Sequence, residues 1–263
     1  MLRDTWTKTL WDQRRTLLGW AIGFAFVSLI YGGFYPFAAT PDYADLIDSL
    51  PPALADAFGW DDISSPHGYL GSTVYGILGP VLAIVMGIGL GSRAIAGSEE
   101  EGSLEMLITH PVTRTGIVLQ KVAALAITML GAGAVVFLTI MAIRGPIDLD
   151  IAASNIAVAS LNLALMGLFF GSVAVLVGAI TGRKGTTVGA TAGVAVFAFL
   201  ANGLAPQVDV LAWMQNISPF HWANGTTALR EGFDPLMTLL LVSASAVAVT
   251  AAVFAFDRRD VGV

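Results

Sequence analysis

The sequence predicts an all-α, polytopic membrane protein with six transmembrane helices, an amino-terminal amphipathic interfacial helix and a short cytoplasmic helix. The 263 residues are 56% hydrophobic and only 12% charged, whereas about a quarter of the residues of a soluble domain are charged. The charged residues separate six uncharged stretches, each long enough to cross a bilayer. Cysteine is absent, which excludes disulfides and thiolate metal sites.

The six apolar stretches are expected to be helices, because lipid offers the backbone no hydrogen-bond partners. A transmembrane barrel would instead show segments of about ten residues with alternating polarity, and the sequence lacks them. The whole chain, 1–263, is expected to form a single transmembrane domain. The expected spans cover residues 17–35, 70–91, 120–143, 153–180, 186–206 and 235–256.

The basic residues predict the orientation of the spans. All but two of the 13, Arg144 and Arg230, flank the spans on one face, and such a face is normally cytoplasmic. We therefore expect a multi-pass plasma-membrane protein with both termini in the cytoplasm. The acidic residues concentrate on the outer face, so the low isoelectric point is no sign of a basic partner, and no nucleic-acid partner is expected.

Residues 1–16 are the predicted interfacial helix. Leu2, Trp6 and Leu10 fall on one helical stripe, and Asp4 and Lys8 lie roughly opposite. Such a segment lies in the interface with its tryptophans near the lipid headgroups. The alternative is a charged leader that only sets the topology.

The first outer loop is acidic and offers Asp61, Asp62 and His67 as conceivable metal ligands. No ligand spacing in it matches a known site, and acidic loops are usually solvated faces. We therefore expect no metal site. Whether this loop binds a metal or an extracellular partner is left open by the sequence.

The inner loop between spans 2 and 3 predicts a helix over residues 98–109. Ser98 followed by Glu101 fits a capping box, and glutamates in a first turn are favoured by the helix dipole. Leu104 and Leu107 recur at helical spacing, and Pro111 ends the pattern. An acidic amphipathic helix of this length favours docking into a groove of another protein. The alternative is a connector that happens to be helical.

The sequence shows neither charged residues in the cores of the spans nor a known catalytic motif. No aspartate, glutamate, lysine or arginine lies in the core of any predicted span, although ion-coupled transport requires an ionisable group there. The sequence contains no P-loop and no H-E-x-x-H motif, and its three histidines lie in loops, so we expect no catalytic residue and no enzyme activity. The energy for any transport is then expected to come from another chain.

Small residues and one proline mark the expected helix contacts. Glycine pairs four residues apart recur in the spans and let helix backbones approach closely. They fit either a seam between two chains or packing within one chain, and the second is favoured. Pro80, with Gly76 and Gly79 just before it, predicts a kink in span 2.

The segment EEEGSLEMLITHPVTRTGIVLQK (99–121) resembles the first cytoplasmic loop of ABC-2 type transporter permeases. The likeness is greatest to the single-chain six-span branch that includes the nitrous-oxide-reductase maturation permeases. ISPFHW (217–222) and FDRRDV (256–261) resemble the same family more weakly. With the six-span topology, the resemblance extends over essentially the whole chain.

This resemblance implies that the inner loop is a coupling helix that docks on a separately encoded ATPase, which holds ATP and Mg while this chain holds no cofactor. It also implies a second permease chain, in a homodimer or a heterodimer. The implied partner-binding residues are Glu99, Glu100, Glu101, Gly102, Ser103, Leu104, Glu105, Leu107, Ile108, His110, Pro111 and Arg114.

The loop before span 6 is rich in aromatic residues, as expected of a segment at the outer interface. In related exporters this region dips back into the membrane, which implies a gate at Trp213, Phe220, His221 and Trp222. The alternative is a plain aromatic anchor.

Together these observations predict the permease subunit of an ATP-binding-cassette exporter. The alternative is an accessory or assembly membrane protein that docks a cytoplasmic partner and transports nothing. The uncharged spans favour an apolar or amphipathic cargo, while the identity of the cargo and the direction of transport are not determined.

Overall fold

The computed structural model of the chain describes residues 14–51, 60, 62–101 and 113–259. These residues form helices and loops without any β-strand, and six of the helices are long and apolar enough to cross a membrane, which confirms the predicted number. The six are α1 (Arg14–Gly33), α4 (Pro66–Glu100), α5 (Arg114–Arg144), α6 (Ala153–Thr181), α7 (Lys184–Gly203) and α10 (Pro235–Arg258). The shorter helices are α2 (Tyr35–Ala38), α3 (Pro41–Asp48), α8 (Pro219–Trp222) and α9 (Gly225–Glu231).

Each long helix extends beyond its predicted apolar stretch at one end or both, although α1 and α7 end before the expected residues 35 and 206. The largest extension is in α4, which continues past the expected end at residue 91 to Glu100. Helical hydrogen bonding does not stop where hydrocarbon stops, so charged residues extend the helices into the interface. The predicted interfacial helix falls on residues 1–16, of which residues 1–13 lie outside the described part of the chain.

Helix α6 forms the centre of the bundle and contacts α4, α5, α7, α9 and α10. Its sequence is apolar on all sides, as expected of a helix surrounded by protein. Phe170, Ala174 and Val175 in α6 are completely buried. In contrast, α1 lies at the periphery against α4 and α5.

Two glycine pairs form the contact between α4 and α6. Gly87 and Gly91 in α4 face Gly167 and Gly171 in α6, and a Cβ atom built at any of the four would overlap a neighbouring backbone or side chain. Small residues are needed here because the two backbones touch. For these pairs the interpretation as packing within one chain is confirmed.

Two other glycine pairs meet nothing among the described residues. A Cβ atom added at Gly19, Gly23, Gly189 or Gly193 has no neighbour within 4 Å. The same faces expose large apolar side chains, such as Ile22 at 68% and Phe197 at 58%. Lipid or a second chain would cover these faces, so a seam between two chains stays a prediction.

Near Pro80 the helix changes its geometry. A π-helical turn covers Val74–Leu78, in which the Leu78 N–H donates to the Thr73 carbonyl at 3.0 Å. Regular α-helix resumes at Gly79 with Pro80 in its first turn, where a missing N–H is tolerated. A second π turn covers Arg93–Gly97. Such turns are common at functional sites.

Candidate functional site

The ends of α4, α6, α7 and α10 meet at one end of the bundle, which we call the basic end because most of the basic residues flank it. Here the guanidinium of Arg259 donates two hydrogen bonds to the carboxylate of Glu99, at 2.6 and 3.0 Å. Arg259 also donates to the Ala179 carbonyl of α6 at 3.5 Å. The pair therefore joins the last turn of α4 to the residue that follows α10.

The approach of Arg259 depends on Gly182. This residue ends α6 with φ of 61°, a left-handed conformation that glycine adopts without strain. A Cβ atom at this position would overlap the guanidinium of Arg259. Glycine is therefore favoured here by the turn, and a side chain in its place would displace the Arg259 guanidinium.

Glu100 contacts the start of α7. Its Oε1 accepts a hydrogen bond from the Lys184 N–H at 2.8 Å, while the N-cap residue Arg183 supplies no side-chain cap. The first N–H groups of a helix lack partners within the helix, and a negative charge there is favoured by the helix dipole. Glu100 thus caps α7 from a neighbouring helix.

Arg114 contacts the end of α10. Its Nη1 donates to the carbonyls of Arg259 at 2.7 Å and Phe256 at 3.3 Å, and its guanidinium lies 5.9 Å from the centroid of the Phe256 ring. The helix that carries it, α5, begins after Thr113, whose hydroxyl accepts from the Gly116 N–H at 3.1 Å. Arg114 therefore satisfies carbonyls that the helix end leaves open.

Three of the predicted docking residues, Glu99, Glu100 and Arg114, thus have partners within the chain. Glu101 is exposed at the end of α4. The other eight predicted docking residues, from Gly102 to Pro111, lie outside the described part of the chain. The docking surface as a whole stays a prediction.

The expected capping box at Ser98 is wrong. Ser98 has helical backbone angles, and its hydroxyl donates back to the carbonyls of Arg93 and Ala94 at 3.1 and 3.3 Å. The preceding residues Ile95 and Ala96 are completely buried, and this packing continues α4 through Ser98. A new helix therefore does not begin at this residue.

At the opposite end of the bundle, α9 is connected to the first outer loop. Arg230 forms an ion pair with Asp62, and the Asn155 side chain donates to the carbonyls of Leu229 and Arg230 at 2.9 and 3.3 Å. Asp62, considered above as a metal ligand, thus has a basic partner. Asp61 lies outside the described residues, and those described contain no cluster of three or more metal-binding side chains.

The predicted gate residues separate into half-buried and exposed positions. The centroid of the Phe220 ring lies 5.5 Å from the centroid of the Phe199 ring and 6.1 Å from that of the Phe170 ring. Trp222 donates from its indole nitrogen to the Asn216 carbonyl at 2.7 Å, while Trp213 is 59% exposed. His221 is half-buried. Phe220 is therefore an inner contact and Trp213 an outer one, and gating stays a prediction.

Phe220 also lines a cavity of about 420 Å³ between α4, α7 and the segment that contains α8 and α9. We call this space the outer cavity. Its polar lining includes Ser72, Tyr75, Asn202, Gln215, Asn224 and Thr226. The sequence analysis missed it because these residues come from distant segments. The available signal was the density of amide and hydroxyl side chains around the end of span 5.

Six apolar helices with their charged residues at the ends define a multi-pass membrane protein. The family model described as ABC-2 family transporter protein matches residues 7–261, and the chain belongs to this family. It is therefore a permease component of an ABC transporter. No curated protein matches the sequence. The likeness to the nitrous-oxide-reductase maturation permeases stays a prediction.

Proposed function

We propose that this permease exports its substrate across the plasma membrane with energy from ATP that a separate, cytoplasmic subunit hydrolyses. The observation that carries this proposal is the arrangement of Glu99 and Glu100 at the end of α4. These neighbours contact Arg259 beyond α10 and Lys184 at the start of α7. A displacement of the loop that follows Glu101 would therefore act on several spans at once.

The distribution of ionisable residues supports an external energy source. In the six described spans, acidic and basic side chains lie in the end regions. The deepest are Arg93 in α4 and Lys121 in α5, and both lie near the basic end. A proton- or ion-coupled mechanism would need such a group near the middle of the membrane.

The proposed assembly contains two permease chains, identical or different, above two ATPase subunits. The uncovered faces of α1 and α7 are where a second chain would have room, since a Cβ atom at Gly19 or Gly189 meets no described residue. The basic end would face the cytoplasm, in agreement with the positive-inside rule. ATP and Mg would bind to the partner, and this chain would perform no chemistry.

The docking step is tested by replacing Leu104 and Leu107 with aspartate. Charges on the apolar face of the predicted coupling helix should abolish co-purification of the ATPase while membrane insertion stays normal. The matched control is Leu204→Asp with Leu211→Asp, since both leucines are exposed at the opposite end of the bundle. Undiminished co-purification of the first variant would refute the docking assignment.

The alternative function, a partner-binding assembly protein without transport, predicts the same loss of co-purification. The two functions differ in ATP hydrolysis by the complex in nanodiscs. An exporter's hydrolysis rate responds to transported molecules, and the rate of an assembly protein's complex does not. Absence of stimulation across a broad panel of small molecules, with the ATPase bound, would favour the assembly protein.

A further inference from the structure

The outer cavity lies within one chain, in the half of the bundle away from the basic end. Its walls are the first turns of α4, the last turn of α7 and the residues around α8 and α9. Its volume of about 420 Å³ falls within the range of small-molecule sites, roughly 300 to 1,000 Å³. It is therefore large enough for a head group of one or two rings.

The cavity has a polar lining without charge. The described residues that line it include two asparagines, two glutamines, a serine and a threonine, but no aspartate, glutamate, lysine, arginine or histidine. A charged group placed there would lose its water without gaining a counter-charge, which is costly. A purely apolar group would offer no partner to the hydrogen-bonding positions that the lining leaves unused, of which Asn202 Oδ1 is one.

The walls are held in place by close contacts. A Cβ atom at Gly71 would overlap Thr226, and one at Gly225 would overlap Tyr75, so α9 packs directly against α4. The Tyr75 hydroxyl is hydrogen-bonded to Ser160 of α6 at 2.8 Å. These contacts fix the α4 and α9 walls, and fixed walls lose little conformational freedom when a ligand binds.

The amides on the walls are also oriented. Asn224 Oδ1 accepts from the Thr227 N–H at 3.2 Å, which holds the side chain at the start of α9. Gln215 Nε2 donates to the Asn202 carbonyl at 3.5 Å and joins the loop to the end of α7. Both contacts fix polar side chains at the edge of the cavity.

Asn202 provides a separate observation. Its Oδ1 is buried and accepts no hydrogen bond from the described residues, although buried polar atoms are normally paired. Asn202 lines the cavity, and a rotation of its χ2 angle, which costs little, would present this oxygen to a bound donor.

From these observations we infer that the outer cavity binds an uncharged head group rich in hydroxyl and amide groups. The rings of Phe199, Phe220 and Tyr75 add apolar faces to the same cavity and suit the flat side of a sugar-like ring. If the chain exports, as proposed above, this head group belongs to the transported molecule. The polar lining then narrows the apolar or amphipathic cargo expected from the spans to one with a neutral polar head.

The test uses the absence of cysteine from the chain. Asn202→Cys places one thiol in the wall of the cavity, and Asn216→Cys, the same change at an exposed position outside the lining, is the control. The full-length variants in nanodiscs are labelled with neutral methyl methanethiosulfonate and with its cationic trimethylammonium and anionic sulfonate analogues. For each variant, the labelling rate of a charged reagent is divided by the rate of the neutral reagent. This ratio should be at least tenfold lower at Asn202→Cys than at Asn216→Cys.

Protection from labelling tests binding directly. N-acetylglucosamine, which carries hydroxyls and an amide, should slow the neutral reagent at least threefold at Asn202→Cys and leave Asn216→Cys unaffected. Glucosamine, in a buffer acidic enough to keep its amine protonated, should protect neither position. Equal rates for the three reagents, no reaction at Asn202→Cys, or no difference between the two sugars would each overturn the proposal.

This test is independent of the ATPase. If N-acetylglucosamine fails to protect Asn202→Cys in a complex whose ATP hydrolysis is stimulated by small molecules, the cavity assignment is refuted and the proposal that the chain exports is not affected. Conversely, if N-acetylglucosamine protects Asn202→Cys but no small molecule stimulates ATP hydrolysis by the complex, the export proposal is refuted and the binding site is supported.

Discussion

Glu99 and Arg259 are 160 residues apart in the sequence, yet their side chains form two hydrogen bonds of 2.6 and 3.0 Å. This contact places the end of α4 against the residue after α10, and Arg259 also bonds to α6 through the Ala179 carbonyl. The loop that begins after Glu101 is thereby attached to the most buried helix of the bundle. A force on that loop would reach the centre of the protein through this charged pair as well as through the apolar contacts of Ile95 with α6.

The first prediction concerns this pair. Arg259→Gln should lower the free energy of unfolding by about 1 kcal/mol, a value typical of partly exposed ion pairs, since the two side chains are 26% and 21% exposed. Arg259→Lys should recover little of the loss, because an ammonium cannot form the paired hydrogen bonds of a guanidinium. Thermal unfolding in nanodiscs measures the effect. Arg258→Gln, at the exposed neighbour, is the control, and an equal loss in both variants would contradict the role of the pair.

The second prediction concerns the cap of α7. Glu100→Ala removes the acceptor of the Lys184 N–H and should cost about 1 kcal/mol, as the loss of a helix cap does. Glu100→Gln keeps an oxygen acceptor and should cost less. Hydrogen exchange of the first amides of α7, measured by mass spectrometry, should accelerate in Glu100→Ala. Glu101→Ala, at the exposed neighbour, should leave this exchange unchanged, and identical exchange in all variants would argue against the cap.

The third prediction separates the two kinds of glycine pair. Gly171→Ala should destabilise the protein, because its new methyl group would overlap Leu125 in the contact with α4 and α5. Gly189→Ala meets no described residue and should be neutral or stabilising by up to about 1 kcal/mol, the usual gain of alanine over glycine in a helix. Thermal unfolding at low protein concentration compares them. A destabilised Gly189→Ala would show that the face of α7 is covered by another chain.

The fourth prediction fixes the orientation. Ser49→Cys lies after α3 in the first outer loop, and Arg258→Cys lies at the end of α10 at the basic end. With the basic end in the cytoplasm, an impermeant maleimide added to intact cells should label Ser49→Cys only. Permeabilised cells should show labelling of both variants. Labelling of Arg258→Cys in intact cells would reverse the proposed topology.

The six spans were predictable because they depend on local composition. Lipid demands an uninterrupted apolar helix, and the charged residues mark where each one enters the interface. The glycine pairs were visible in the sequence too, but spacing alone did not show that Gly87 faces Gly167 while Gly189 faces no described residue. That distinction depends on how the helices are arranged around α6.

The prediction at Ser98 shows the limit of a local motif. A capping box contributes about 1 kcal/mol, whereas burial of Ile95 and its neighbours against α6 contributes more. The tertiary contact therefore decides where the helix continues. The pairing of Glu99 with Arg259 was equally hidden, because either residue alone resembles a solvated charge at a helix end.

The turn between α6 and α7 consists of only Gly182 and Arg183. A helix of 20 residues extends roughly 30 Å, so a change of angle at this turn would displace the far end of the α7 rod most. Tilting such a rod by about 5° moves its far tip by nearly 3 Å and barely moves the turn. That tip carries Asn202, which lines the outer cavity, so a small rotation of α7 at the basic end would widen or narrow this cavity.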